Sequence, residues 1–165
     1  VQVRKDPIGS KGARLTRQIS IAGRLAVLLA NSSGVGVSVA IEDEAERDRL
    51  RELGSRVVPE GFGIILRTAA EKMTEAEIQI DVNFLVPMVN NVNSSFASVD
   101  APCLLRNDLS LLLRTARDFV VQRYDEFIID SSLGYKEVTN FLGRTPQASS
   151  GMFSLHTGNQ SLFQK

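Results

Sequence analysis

The sequence predicts a mixed α/β chain, with a β-rich first part carrying one helix, a long connecting helix, and an α/β layer at the C-terminal end. Three observations predict it. Over the first forty positions apolar residues come in short bursts punctuated by glycines. From Glu42 the pattern switches to helical periodicity, and beyond residue 100 short apolar runs alternate with helical stretches. At 165 residues and 43% hydrophobic content, the chain has enough apolar surface for one large domain or two small ones.

Taken in order, Val1-Gln2-Val3, Leu15-Thr16, Ile19-Ser20-Ile21 and Leu25 to Leu29 read as strands, with Gly9, Gly12, Gly23, Gly34 and Gly36 between or after them. A helix is expected from Glu42 to Leu53, with Ile41, Ala45, Leu50 and Leu53 on its apolar side and Gly54 as its stop. Gly61 to Thr68 reads as a strand apolar on both faces. Thr74 and Glu77 form a capping box before a helix carrying Ile78, Val82, Leu85 and Val89, which Pro87 should kink or split. The Asn/Ser-rich stretch Asn90 to Ser98 reads as a helix end and loop. Then come a short buried strand around Leu104, a helix from Asp108 to Val121, a strand Phe127-Ile128-Ile129, a helix from Leu133 to Leu142, and a strand from Met152 to Leu155.

Nineteen basic and nineteen acidic residues cancel, so no overall field draws in nucleic acid, and any such binding must come from local clusters. The one cysteine, Cys103, has no disulfide partner within the chain and lies in the apolar run Pro102 to Leu105, which suggests a buried structural thiol. No run is long enough for a membrane span, and the opening residues show neither a signal peptide nor a start methionine, so a cytoplasmic fragment of something longer is expected.

Two segments concentrate chemistry. In Lys5-Asp6-Pro7-Ile8-Gly9-Ser10-Lys11-Gly12-Ala13-Arg14-Leu15-Thr16, cations Lys5, Lys11 and Arg14 sit on a Gly/Pro-punctuated strand-turn-strand suited to tracking phosphates, though an ordinary basic hairpin reads the same way. In Pro59 to Glu71, an apolar strand ends in Arg67-Thr68, delivering a guanidinium fork and a hydroxyl to one place, as a terminal phosphate requires. The plainer alternative is a surface arginine paired with Glu71.

These two segments, with Ile19 to Arg24, Ala101 to Leu105, Arg117-Asp118 and Ile128-Ile129-Asp130, resemble the bacterial and chloroplast RNase E/G family of endoribonucleases in order and spacing. The resemblance implies three parts: residues 1–16 as the end of an oligonucleotide-binding barrel, 17–100 as the family's 5′-sensor region with its long helix, and 101–165 as an RNase H-like structural domain. It implies single-stranded RNA with a 5′-monophosphate as partner, together with a nuclease domain elsewhere in the parent protein; self-association stays open. It further implies Mg²⁺ in the full-length enzyme, held by aspartates of that later domain, and no cofactor in this chain. Carried over residue by residue, Arg67 and Thr68 would bind the 5′-phosphate, Gly23 and Val27 would supply backbone beside it, and Lys5, Lys11 and Arg14 would contact the RNA strand. The chain departs from the family at Ser38-Val39-Ala40-Ile41-Glu42, where relatives read Ser-Arg-Arg-Ile-Glu, and at Val89, near a family tryptophan.

Other constellations read as structural. Glu42, Asp43, Glu44, Glu46 and Asp48, followed by Arg47, Arg49 and Arg51, suit a solvated helix whose first turn complements the macrodipole, since consecutive helical carboxylates point apart. Asp130, with Asp118 and Asp81, could be imagined as a metal-dependent nuclease centre, but Asp130 is better placed to cap the next helix. His156 has no cysteine or second histidine nearby and reads as structural. A non-catalytic interaction module that has lost RNA sensing is the alternative to the sensor.

Overall fold

The computed structural model describes residues 1–119, 125–143, 152–158 and 161–162. The chain divides into two compact units, Val1–Leu105 and Arg106–Lys165.

In the first unit, β1 (Gln2–Lys5) and β2 (Arg14–Thr16) form an antiparallel hairpin. Its first strand is joined to the rest of the unit by Gln2, whose carboxamide donates to the Ser20 carbonyl at 3.0 Å and accepts the Ser20 N–H at 2.9 Å, imitating a strand pairing. A four-stranded sheet follows, built from β3 (Ser20–Ala22), β4 (Ala26–Ala30), β5 (Val35–Val37) and β6 (Phe62–Leu66) in the order β3-β4-β6-β5. β6 runs antiparallel to β4 and parallel to β5, the parallel pair being linked through helix α1 (Glu44–Val57). Alternation along the strands places Ala26, Leu28, Ile64 and Leu66 inside, where they meet Leu50, Leu53 and Val57 of α1 and Ile78, Val82, Leu85 and Val89 of helix α2 (Glu75–Ser98) in one core. Truncating one of the fully buried leucines or isoleucines to alanine is expected to cost about 2–5 kcal/mol.

In the second unit, α3 (Leu111–Phe119) and α4 (Ser132–Leu142) bury Ala116, Val138 and Leu142 with Phe153. β7 (Phe127–Ile129) and β8 (Phe153–Leu155) pair in parallel, and the Phe127 and Phe153 rings stack at 5.0 Å. The mixed α/β expectation holds throughout the described residues.

Several local expectations are corrected. Helix α1 starts two residues later than Glu42, capped by Asp43, whose carboxylate accepts from the N–H groups of Ala45 and Glu46. It also runs past Gly54 to Val57, because Gly54 is a contact point against β5 rather than a stop, and Ala45 faces solvent. The chain leaves α1 at Val58, extended ahead of Pro59 as a residue before proline prefers, and turns at Gly61 (φ +82°) with the Phe62 N–H closing onto the Pro59 carbonyl. Strand β6 ends at Leu66, and Thr68–Ala70 forms a 3-10 turn.

The capping box at Thr74 and Glu77 is present in both halves. Pro87 does not split α2, which continues through the Asn/Ser-rich stretch to Ser98; its four buried residues, Val89 included, lie in the half before and around the proline and hold that part to the sheet. No strand forms around Leu104, and Cys103 is exposed, since this apolar run has no strand to pair with. Helix α3 begins at Leu111 rather than Asp108, and the expected end at Val121 lies outside the described residues. The cap of α4 is Ser131, which accepts the Gly134 N–H, and not Asp130.

Candidate functional site

Arg67 and Thr68 do come together. Both line a cleft of about 440 Å³ at the end of β6, with Ser38 and Val39 on the facing wall. The parallel pairing of β5 with β6 is what sets that wall, because the Ser38 N–H donates to the Leu66 carbonyl at 2.8 Å and so extends the ladder to the cleft. The Ser38 and Thr68 hydroxyls lie 2.9 Å apart across it. From behind, Arg47 of α1 donates through Nη1 to the carbonyls of Ser38 and Ile41 at 3.3 Å each, which fixes the loop that carries Val39 and Ala40.

Arg67 is half-buried and held by the turn between β3 and β4. Its Nη1 donates to the carbonyls of Gly23 at 2.7 Å and Arg24 at 3.1 Å, and its backbone N–H donates to Leu25 at 2.8 Å. Glu71, the sequence-level candidate to pair with it, lies beside Lys72 at 3.9 Å. Gly23 thus offers its carbonyl to the arginine, while Val27 is held inside the sheet, opposite Ala22 on one side and Ile65 on the other. On its other side the turn faces Asp81 of α2, whose carboxylate accepts the N–H groups of Arg24, Leu25 and Ala26 at 3.1, 2.8 and 2.9 Å. Arg24 is itself buried; desolvation pulls its pKa below the usual arginine value, against the opposing pull of the Asp81 and Glu77 carboxylates.

Lys5, Lys11 and Arg14 are all exposed on the hairpin. The β1-β2 register puts Lys5 opposite Arg14 across an irregularity after Val3, and Lys11 sits at the tip, where Ile8 and Lys11 exchange two backbone hydrogen bonds around the left-handed Gly9. Like charges directly opposite each other weaken a strand pair, so a polyanion laid along this edge would relieve a built-in repulsion. Residue patterns alone did not single out Ser38, and raised Asp81 only as an imagined metal ligand beside Asp130; both owe their position to chain segments far apart in sequence.

With this geometry in place, similarity to known proteins is decisive. The model of the Ribonuclease E/G family matches residues 20–165. The chain belongs to the ribonuclease E/G family. It is 38% identical over 152 residues to a protein named Ribonuclease E from Nostoc sp., a match covering 89% of this chain and 22% of that protein. It is 36% identical over 163 residues to Ribonuclease G from Escherichia coli, covering 99% of this chain and 33% of the relative. The Synechocystis sp. Ribonuclease E matches at 36% over 152 residues, 89% of this chain and 23% of that protein. The chain therefore spans between about a fifth and a third of the length of these relatives.

The Mg²⁺ expected of full-length family members does not fit the residues described here. Asp81 is occupied by three backbone N–H groups, Asp118 is paired with the adjacent Arg117 at 2.8 Å, and Asp130 is exposed at the end of β7. Among the described residues no three His, Cys, Asp or Glu side chains gather as ligands would need to. The acidic residues at the start of α1 pair instead along the helix, Glu44 with Arg47, Glu46 with Arg49, and Asp48 with Arg51. The backbone N–H of His156 donates to the Ile129 carbonyl at 2.8 Å, beyond β8. No helix among the described residues is long and apolar enough to cross a membrane.

Proposed function

We propose that this chain is the RNA-binding and 5′-monophosphate-sensing portion of a single-strand-specific endoribonuclease of RNA processing and decay, with cutting left to a nuclease domain elsewhere in the same cytoplasmic protein. The observation that carries the reading is the convergence of Arg67, Thr68 and Ser38 on one cleft. A guanidinium and two hydroxyls form a donor set that matches the several oxygens of a terminal phosphate, and charge-assisted bonds of this kind contribute about 1.5–3 kcal/mol each. The basic hairpin would hold the strand without reading its sequence.

The test is a titration of one short single-stranded RNA carrying either a 5′-monophosphate or a 5′-hydroxyl. The parent should prefer the phosphate, Arg67→Ala should lose at least about tenfold of that preference, and Arg67→Lys should restore little because the planar fork is gone. Equal binding of both RNAs by the parent would sink the sensor reading. One observation favours the second reading, a structural module without sensing: Val39 and Ala40, exposed beside the cleft, stand where the family pattern has two arginines.

A further inference from the structure

We propose that Asp81 is a positioning residue of the phosphate cleft, setting the Arg67 guanidinium through two peptide groups and the Arg67 backbone through a third; the proposal rests on the reading that Arg67 senses a 5′-phosphate. Those peptide groups are 23–24, 24–25 and 25–26. Each has its N–H on the Asp81 carboxylate, from Arg24, Leu25 and Ala26. Each has its carbonyl on Arg67, with those of Gly23 and Arg24 taking Nη1 and that of Leu25 taking the backbone N–H. All three dipoles therefore have an anion at their positive ends; at their negative ends two meet the Arg67 cation and the third its backbone N–H, an arrangement in which each bond polarises the next.

The clamp leaves the turn little freedom. Rotating any of these peptides to present its carbonyl elsewhere would strip an N–H from Asp81, and the turn is closed on itself by the Gly23 N–H donating to the Ala26 carbonyl at 2.8 Å. Gly23 is packed so closely that a Cβ there would stand 2.5 and 2.8 Å from the two carboxylate oxygens, so only glycine lets the carboxylate reach all three donors. Asp81 takes no part in the cleft lining itself. Its influence on a phosphate would run through Arg67.

The asparagine variant keeps the shape of the side chain but turns an NH₂ toward at least one backbone N–H, so the turn must shift. In the 165-residue chain, Asp81→Asn should lower the preference for 5′-monophosphate over 5′-hydroxyl RNA by about five- to tenfold, in the range of one ordinary hydrogen bond, because Arg67 is misaligned rather than removed. The preference, a ratio of two affinities, is insensitive to a partly unfolded sample, which lowers both affinities alike. In an Arg67→Ala background, Asp81→Asn should change the ratio no further, because the two residues act as one unit. Gly23→Ala, which crowds the carboxylate from the opposite side, should reproduce the effect and serves if Asp81→Asn does not fold. Weaker binding of both RNAs with an unchanged ratio, or an additive effect in the double variant, would show Asp81 to be a brace for the fold alone and overturn the proposal. A parent that retains its preference through Arg67 while Asp81→Asn keeps it too would overturn this inference and leave the sensor standing; a parent with no preference would overturn both.

Discussion

Gly54 of α1 lies so close to Val35 of β5 that a Cβ at position 54 would stand 2.5 Å from Cγ1 of the valine. The contact presses α1 onto the strand that carries Ser38, one residue beyond its end, to the cleft. Alanine at 54 would gain about 1 kcal/mol of helix propensity, but the χ1-stiff valine cannot swing aside, and overpacking of this kind costs about 1–3 kcal/mol. Gly54→Ala is therefore expected to lower stability in chemical denaturation, and Gly54→Ala/Val35→Ala to recover part of the loss. A stabilised single variant would show that the helix can lift off the sheet freely.

Glu46 gives the fold an acid-sensitive tie. Arg49 donates to its carboxylate through Nε and Nη2 at 2.6 and 2.7 Å, and the Lys72 N–H donates at 2.7 Å, joining α1 to the left-handed residue (φ +61°) that precedes α2. Chiefly because of the Arg49 hydrogen bond, which outweighs the effect of burial, its pKa is lowered to about 2 from the ordinary 4.5. A carboxyl depressed in the folded state stabilises above its unfolded value and loses that contribution as pH falls through the folded one. Discounted for solvent screening, Glu46→Gln should cost about 1–2 kcal/mol at neutral pH. The gap between variant and parent should close from about pH 4.5 down to about pH 2. A gap independent of pH would assign the cost to packing rather than charge.

The hairpin cations make a prediction in salt. Ammonium groups acting on phosphates release counterions, and for single strands each contact contributes about 0.7 to the slope of log affinity against log salt. Lys5→Ala/Lys11→Ala should flatten that slope by about 1 to 1.4 and weaken binding equally for different RNA sequences; Arg14→Ala should add a smaller, similar change. An unaltered slope would remove the hairpin from the RNA path.

Periodicity and caps made α2 legible down to its buried residues, because the Thr74–Glu77 box and the spacing of Ile78, Val82, Leu85 and Val89 are local signals. Arg67 and Thr68 were legible as a pair for the same reason, being adjacent at a strand end. Asp81 was not, since a carboxylate on a helix looks alike whether it faces water, a metal or three N–H groups 55 to 57 residues away. Gly54 was misread as a stop because a glycine demanded by an approaching strand and one demanded by a helix end are identical in sequence. The run around Cys103 looked like a buried strand because apolar content implies burial only where a partner element exists to cover it.

The departure from the family pattern that the resemblance implies at Val39 and Ala40 supplies the sharpest prediction. The Ala40 backbone N–H lies 3.4 Å from the Ser38 hydroxyl, so the loop curls back toward the cleft, and Arg47 holds it there through the carbonyls on either side of Val39 and Ala40. The side chain of Ala40 is exposed, leaving room for a longer one without displacing the core. If the loop is poised as the Arg47 bonds indicate, Ala40→Arg adds a second guanidinium to the Arg67, Thr68 and Ser38 set and should raise the preference for 5′-monophosphate over 5′-hydroxyl RNA by about tenfold, the worth of one such bond. Ala40→Lys separates geometry from charge: it carries the same positive charge but no planar fork, so it should strengthen binding of both RNAs while moving their ratio less. Raising salt sharpens the comparison, since non-specific attraction of the strand is screened more than a partly buried phosphate contact. A ratio that rises with arginine and survives added salt would mean the cleft is intact and only one ligand short. Equal gains for both RNAs that fade with salt would mean that the new cation meets the strand and not its end, and would favour the module without sensing.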